Sequence, residues 1–314
     1  MPAVAQLPIG DVPFCILDLE TTGLSPGLDR VVELSVVRLE PDGDAQVVLD
    51  SLIHPQRSIA GTEVHGITDA AVASAPTFER LAPELLEAMD GAVLAAYNVY
   101  FDLRFLQYEL GRIGHQLDVP YLCVMYARPL LDLGSRCTLR LACEDHGIEH
   151  VGGHSAAGDV VAATELMQHY LGAMKQLGVR TLGDLRRRGK RYKFLKSFDL
   201  DLPRFPKAAT PVEKVSRALE PTDAADDRWR IREYQEMVLA LLSDFVVSTE
   251  EANVAREIAG RLGLTIGEVR AVHARIFAST LNQWAADDEI DDNERVYLNA
   301  LHRGLDALGW APGG

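Results

Sequence analysis

Five side chains in three short stretches could carry chemistry in this chain. Asp18-Leu19-Glu20 sets two carboxylates at i and i+2, so both project to one face of a strand end. Asp102 closes the stretch Asn98-Val99-Tyr100-Phe101-Asp102, at the start of a predicted helix. His154 precedes Asp159 by five positions, and Asp159 also opens a predicted helix. Four carboxylates cannot share a small site bare, because mutual repulsion would raise their pKa values until some protonated. Divalent cations remove that obstacle, and oxygen-rich, thiol-free ligation suits Mg²⁺ or Mn²⁺. Two ions about 3.5–4 Å apart can clamp the attacking and leaving oxygens of a phosphodiester displacement. A neutral imidazole beside them suits a general base. Together these types point to metal-assisted phosphodiester hydrolysis. Singly, each has an ordinary reading: Asp102 and Asp159 could serve only their helix dipoles, and His154 could be an exposed loop residue.

The order and spacing resemble a known family. Asp18-Leu19-Glu20-Thr21-Thr22-Gly23 is similar to the first motif of the DEDDh (DnaQ-like) 3′→5′ exonucleases. Asn98 to Leu106 resembles the second motif, and His154-Ser155-Ala156-Ala157-Gly158-Asp159 the third. Val64-His65-Gly66-Ile67-Thr68 looks like a family segment that approaches the terminal nucleotide. The likeness runs over roughly residues 12–172. It implies a ribonuclease-H-like fold, with Asp18, Glu20, Asp102 and Asp159 as metal ligands and His154 as the base. It also implies substrate contacts at Leu19, Thr21, Thr22, Gly23, His65, Asn98 and Phe101. One departure is Tyr97, where the family often has His before the Asn of the second motif. Tyr97 is not a ligand position, so the departure bears on packing around Asn98.

The elements that must position these groups read as follows. Phe14-Cys15-Ile16-Leu17 is an apolar run, expected to be a buried central strand. Val31–Leu39 and Ala45–Ile53 read as two more strands, joined by the turn Pro41-Asp42-Gly43-Asp44. Phe78–Met89 is predicted helical, Val93–Ala96 a strand, Tyr100–Ile113 a helix and Tyr121–Tyr126 a last strand. Helices are expected at Leu139–His146 and Ala157–Leu171. The pattern predicts an α/β fold, a mixed sheet flanked by helices.

Beyond residue 171 the pattern changes. Residues 180–196 are rich in Arg and Lys, and Pro203, Pro206, Pro211 and Pro221 give residues 201–226 a linker composition. From Arg230 the chain reads all-helical, with capping boxes at Ser248…Glu251 and Thr265…Glu268, and a variant at Asp291…Glu294. The expected domains are 1–175, the exonuclease; 176–229, a basic then Pro-containing linker; and 230–314, a helical domain. Ala285 to Leu308 resembles TerB-like (tellurite-resistance) helical domains. The acidic loop 287–294 is no EF-hand, because Asp292 stands where the turn Gly belongs and Leu298 where the last Glu belongs.

The net charge is −15, divided as −14 over residues 1–175, +7 over 176–212 and −8 over 213–314. The excess of acid argues against a general phosphate binder, but an acidic block suits cation-holding carboxylates. In Arg186 to Phe194, cations alternate with Tyr192 and Phe194, a pairing that suits a single strand. The four cysteines form no CxxC pair, and no run of eighteen apolar residues exists. No disulfide framework, secretory signal or membrane span is therefore expected, and the expected location is cytoplasmic. The reading that results is a metal-dependent 3′→5′ exonuclease taking a nucleic acid with a free, single-stranded 3′ end. DNA is the expected substrate, in proofreading or repair, with a protein partner for the helical domain. The same site would serve an exoribonuclease trimming RNA 3′ ends. A binding scaffold with an inactive nuclease fold is the rival of another class, and the intact carboxylate set opposes it.

Overall fold

The computed structural model describes residues 3–59, 65–151, 155–188, 192–217, 229–242, 246–284 and 292–313. Five strands form one sheet: β1 (Phe14–Thr21), β2 (Val31–Leu39), β3 (Ala45–Leu52), β4 (Val93–Ala96) and β5 (Tyr121–Cys123). Their order is β3-β2-β1-β4-β5. The pairs β1/β2 and β2/β3 are antiparallel, while β1/β4 and β4/β5 are parallel. This is the mixed, ribonuclease-H-like arrangement. β1 is central, and Cys15, Ile16 and Leu17 are fully buried, as a strand covered on both faces requires.

The helices in chain order are α1 (Asp69–Val72), α2 (Phe78–Met89), α3 (Val99–Arg112), α4 (Val124–Leu130), α5 (Leu139–His146), α6 (Ala156–Gln176) and α7 (Lys193–Ser197). The C-terminal region adds α8 (Trp229–Leu241), α9 (Thr249–Arg261), α10 (Ile266–Trp284) and α11 (Asp292–Ala307). None is long and apolar enough to cross a membrane. The α9 capping box has both halves, and the Thr265–Glu268 pair makes the same reciprocal bonds. The box at Asp291 lies outside the described residues.

One element differs from its expectation. The strand at Tyr121 stops at Cys123, and Val124 to Tyr126 begin α4. The four-residue β4 offers Leu94, Ala95 and Ala96 as partners and nothing beyond. Met125 N–H turns instead to the Tyr97 carbonyl, at 2.9 Å. A short apolar run does not by itself separate strand from helix.

The basic segment is engaged internally. Arg186 donates to the Leu195 carbonyl and pairs with Asp199; Arg188 donates to the Leu130 carbonyl and pairs with Asp132; Arg187 pairs with Asp184. Phe194 is fully buried, and Tyr192 meets Tyr126 edge-on at 4.8 Å. Arg186, Arg187 and Arg188 of the run, read as a candidate strand contact or a solvated charge run, are thus paired within the chain; Gly189, Lys190 and Arg191 lie outside the described residues. Residues 201–217 hold no helix or strand, yet they lie along α2. The N–H groups of Phe205, Ala208 and Val212 donate to Asp90, Glu87 and Glu84 at 2.7, 2.9 and 2.6 Å. Carboxylates at three-residue spacing on one helix face replace the ladder this extended chain lacks.

The loop after β1 is fixed by a buried ion pair. Arg30 Nε and Nη2 reach Glu109 Oε1 and Oε2 at 2.6 and 3.0 Å, and Arg30 Nη1 donates to the Pro55 carbonyl. Glu109 is 1% exposed. Breaking such a pair strands a charge, at a cost of about 3–5 kcal/mol. Glu109→Ala is expected to lower the unfolding free energy by about 3 kcal/mol in urea titrations; a loss under about 1 kcal/mol would show the pair to be dispensable.

Candidate active site

The site grows from the end of β1. Leu17 and Leu19 face the core, so Asp18 and Glu20 project together to the other face. The β1/β2 register shifts between Glu20 and Thr21, and such a bulge bends the strand away from its partner. The turn that follows is tightly bonded. Thr21 Oγ1 donates to the Gly23 carbonyl, Thr22 Oγ1 donates to Asp29 Oδ1, and Ser25 N–H donates to Asp29 Oδ2. A Cβ on Gly23 would sit 2.6 Å from both Asp29 oxygens, so only glycine lets the carboxylate close the turn.

Two helix starts complete the set. Asp102 lies in the first turn of α3 and is 4% exposed. Asp159 lies in the first turn of α6, whose cap Ser155 accepts from Gly158 N–H at 3.2 Å. Asp18, Glu20 and Asp159 each offer a ligand oxygen within 4.8 Å of the others. That donor set fits a hard divalent cation. Asp102 shares their cavity, which measures about 220 Å³. Leu19, Thr21, Thr22, Gly23, His65, Asn98 and Phe101 all line the same cavity. His154 lies outside the described residues.

The electrostatics match a site awaiting cations. Burial first, then the charges of Asp159, Asp102, Glu20 and Glu236, hold Asp18 well above the usual carboxylate range. Glu20 is raised by burial and then by Glu236 and Glu33. Burial pushes Asp102 up to about 8, although backbone N–H groups of Asp102 and Leu19 oppose this. His65 is 3% exposed and is lowered to about 4, by burial and then by Arg217. Its Nδ1 accepts from Ile67 N–H, so the neutral ring carries its proton on Nε2. The Thr21 carbonyl lies near enough to oppose the shift, but Nε2 completes no hydrogen bond.

Several residues here were not anticipated. His150 Nε2 lies 2.6 Å from Asp159 Oδ1. Burial works against its protonated form, but the Asp159 bond and charge outweigh that and raise its pKa. Glu33, fully buried in β2 beside Glu20, is pushed up to about 7 by burial; its Oε2 accepts from Ala156 N–H at 3.1 Å. A lone Glu in Val31-Val32-Glu33-Leu34 was the visible signal. Gln235, Glu236 and Arg275 of the helical region also line the cavity, and nothing in the motif spacing pointed to them. Tyr97, at the departure from the family pattern, is a packing residue: its hydroxyl donates to the Cys137 carbonyl at 2.6 Å.

Sheet order and gathered carboxylates define a ribonuclease-H-like domain with a cation-binding type of acidic site. Residues 15–167 match the Exonuclease (RNase_T) family model, just under half of the chain. The chain is 36% identical over 188 residues to a DNA polymerase III subunit epsilon-like protein of Rhodobacter capsulatus, covering 58% of this chain and 27% of that one. It is 31% identical over 179 residues to the 3′-5′ exonuclease DinG of Bacillus subtilis, covering 55% and 19%. It is 29% identical over 180 residues to a PolC-type DNA polymerase III of Thermotoga maritima, covering 56% and 13%. The chain thus spans about a quarter or less of these curated relatives. A solved structure of Exonuclease X with 5′ overhanging duplex DNA superposes with a TM-score of 0.42 at 22% identity, covering 56% of this chain and 99% of that one.

Raised carboxyl pKa values carry a stability consequence. In the unfolded chain these groups titrate near 4. Between about pH 4 and pH 8 the folded state keeps protons that the unfolded state releases, so stability falls as pH rises. With chelator present, the urea midpoint is expected to drop between about pH 5 and pH 8, and Asp102→Asn to flatten part of that slope. A midpoint that rises across this window would contradict the repulsive cluster.

Proposed function

We propose that this chain is a 3′→5′ exonuclease that hydrolyses phosphodiester bonds at DNA 3′ ends with divalent ions, Mg²⁺ or Mn²⁺. The observation that carries the reading is the meeting of Asp18, Glu20 and Asp159 oxygens within 4.8 Å, with Asp102 in the same cavity. These four would hold two ions, which when bound neutralise the cluster and polarise the phosphodiester. His154 takes the proton of the attacking water. The walls seat the last nucleotide: Phe101 offers a ring for stacking, Asn98 and the Thr21-Thr22-Gly23 backbone offer polar contacts, and the His65 Nε2–H is a donor with an open valence. Stacking and backbone contacts read no base edges, so sequence preference is low. The names of the relatives support DNA as the substrate. The carboxylates lie in a cleft with apolar walls at Phe101, Met237 and Leu239, which favours an unpaired end.

On this reading residues 1–175 are the nuclease domain, 176–229 the connector and 230–314 the helical domain. A cytoplasmic location follows from the substrate. The helical domain also exposes Val246, Ile266, Val296 and Tyr297, apolar side chains that a protein partner would cover.

Digestion of labelled single-stranded DNA, duplex DNA and RNA, with Mg²⁺ and with chelator, tests the reading. Mononucleotide release from single-stranded DNA is expected with Mg²⁺ alone, and Asp18→Ala is expected to abolish it. Undiminished release by that variant would refute the assignment.

His154→Ala is expected to slow turnover by about 10²–10⁴ while Mn²⁺ titration still shows binding. The wild-type rate should rise with pH through an imidazole pKa near 6.5, and the variant should lose or shift that rise. Lost metal affinity with the wild-type pH profile retained would make His154 a ligand or a structural residue.

A further inference from the structure

The cavity has two sides, and only one belongs to the exonuclease family region. Opposite the carboxylates, α8 presents Gln235, Glu236, Leu239 and Ala240, and α10 presents Arg275, Ile276, Ser279 and Thr280. Both sets follow i, i+1, i+4, i+5, so each helix turns one face into the cleft. The region is anchored there by varied contacts. Asn98 Nδ2 donates to the Ala240 carbonyl at 3.5 Å, and Tyr126 Oη donates to Glu251 at 3.1 Å. Arg261 pairs with Asp145, and the Arg140 guanidinium lies 4.3 Å from the Trp229 ring centroid. These four contacts tie the helical region to the sheet-bearing region, so the roof is part of the fold.

Charge on the lining is one-sided. Asp18, Glu20, Asp29, Asp102, Asp159 and Glu236 are acidic, His65 is held neutral, and among the described residues Arg275 is the one Arg or Lys that lines the cavity. Arg275 is exposed and makes no hydrogen bond or ion pair with the described residues. In the basic segment that could have met a polyanion, Arg186 and Arg188 are spent on internal carbonyls and carboxylates. We propose that Arg275 grips a backbone phosphate of the bound strand, which makes the helical region the second half of the substrate site. The inference rests on the exonuclease reading for its ligand class. A guanidinium with a free fork is the group best shaped for a phosphate.

Binding of a fluorescent oligothymidylate to the uncleaving Asp18→Asn full chain, with Mg²⁺ and across a salt series, tests this. Arg275→Glu is expected to weaken affinity about ten-fold or more, and to reduce the slope of log affinity against log salt by about 0.7 for the lost phosphate contact. Arg275→Lys should recover most of both, and unchanged melting temperatures show that the fold survives. Equal affinity and slope in Arg275→Glu overturns the proposal. Wild-type digestion run in parallel separates the two failures. If the wild type degrades the strand while Arg275→Glu binds normally, Arg275 alone is excluded. If the wild type neither binds nor degrades it, the exonuclease reading falls and takes Arg275 with it.

Discussion

Repulsion among carboxylates held in one buried cleft is the constraint on which the rest of this structure depends. Asp18, Glu20, Asp102 and Asp159 come from one strand and two helices, and none would approach the others without enforcement. The enforcement is apolar. β1 lies in the middle of the sheet with Cys15, Ile16 and Leu17 fully buried, so its end cannot drift to separate the charges. α6 packs against β1 and β2, and that packing holds Asp159 in place. Hydrophobic burial thus sustains a local electrostatic strain, and an acidic cluster strained in this way fits divalent cations.

Polar devices hold the same geometry at finer scale. Asp29 ties Thr22 and Ser25 into the turn after β1, and the missing side chain of Gly23 gives it room. Arg30, one residue on, locks that turn to α3 through Glu109, so the two elements that carry Glu20 and Asp102 are joined directly. Glu33 joins β2 to the start of α6 through the Ala156 N–H. The Arg30 link thus joins two elements that bear a carboxylate of the cluster, and the Glu33 link ties the neighbouring strand to a third.

Charge elsewhere in the chain is used to organise backbone. Glu84 and Glu87 on α2, and Asp90 at its C-terminal cap, accept N–H groups from a proline-rich strap that has no strand partner along most of its length. Arg186 and Arg188 satisfy carbonyls at Leu195 and Leu130. A run of cations in sequence is therefore no measure of the cation available to a ligand. Availability depends on which carbonyls and carboxylates the fold brings within reach.

The carboxylates that meet in the cavity were legible as motifs in the sequence, while His154 lies outside the described residues. Asp18 and Glu20 two apart, Asp102 at a helix start and His154 five before Asp159 carry spacing that few other functions require. The strands Val31–Leu39 and Val93–Ala96 and the helices Phe78–Met89 and Leu139–His146 were also legible, since period and punctuation act over a few residues. The end of β5 was not, because strand length there is set by a partner twenty-seven residues away. Nor was the fate of the basic run, because its acceptors lie as far off as Leu130 and Asp132. Tertiary structure alone decided that His150 meets Asp159, that Glu33 lies beside Glu20, and that α8 and α10 roof the cleft with Glu236 and Arg275. Local sequence encodes periodicity and motif, but a contact across more than a hundred residues exists only once the core has packed and fixed where each surface points.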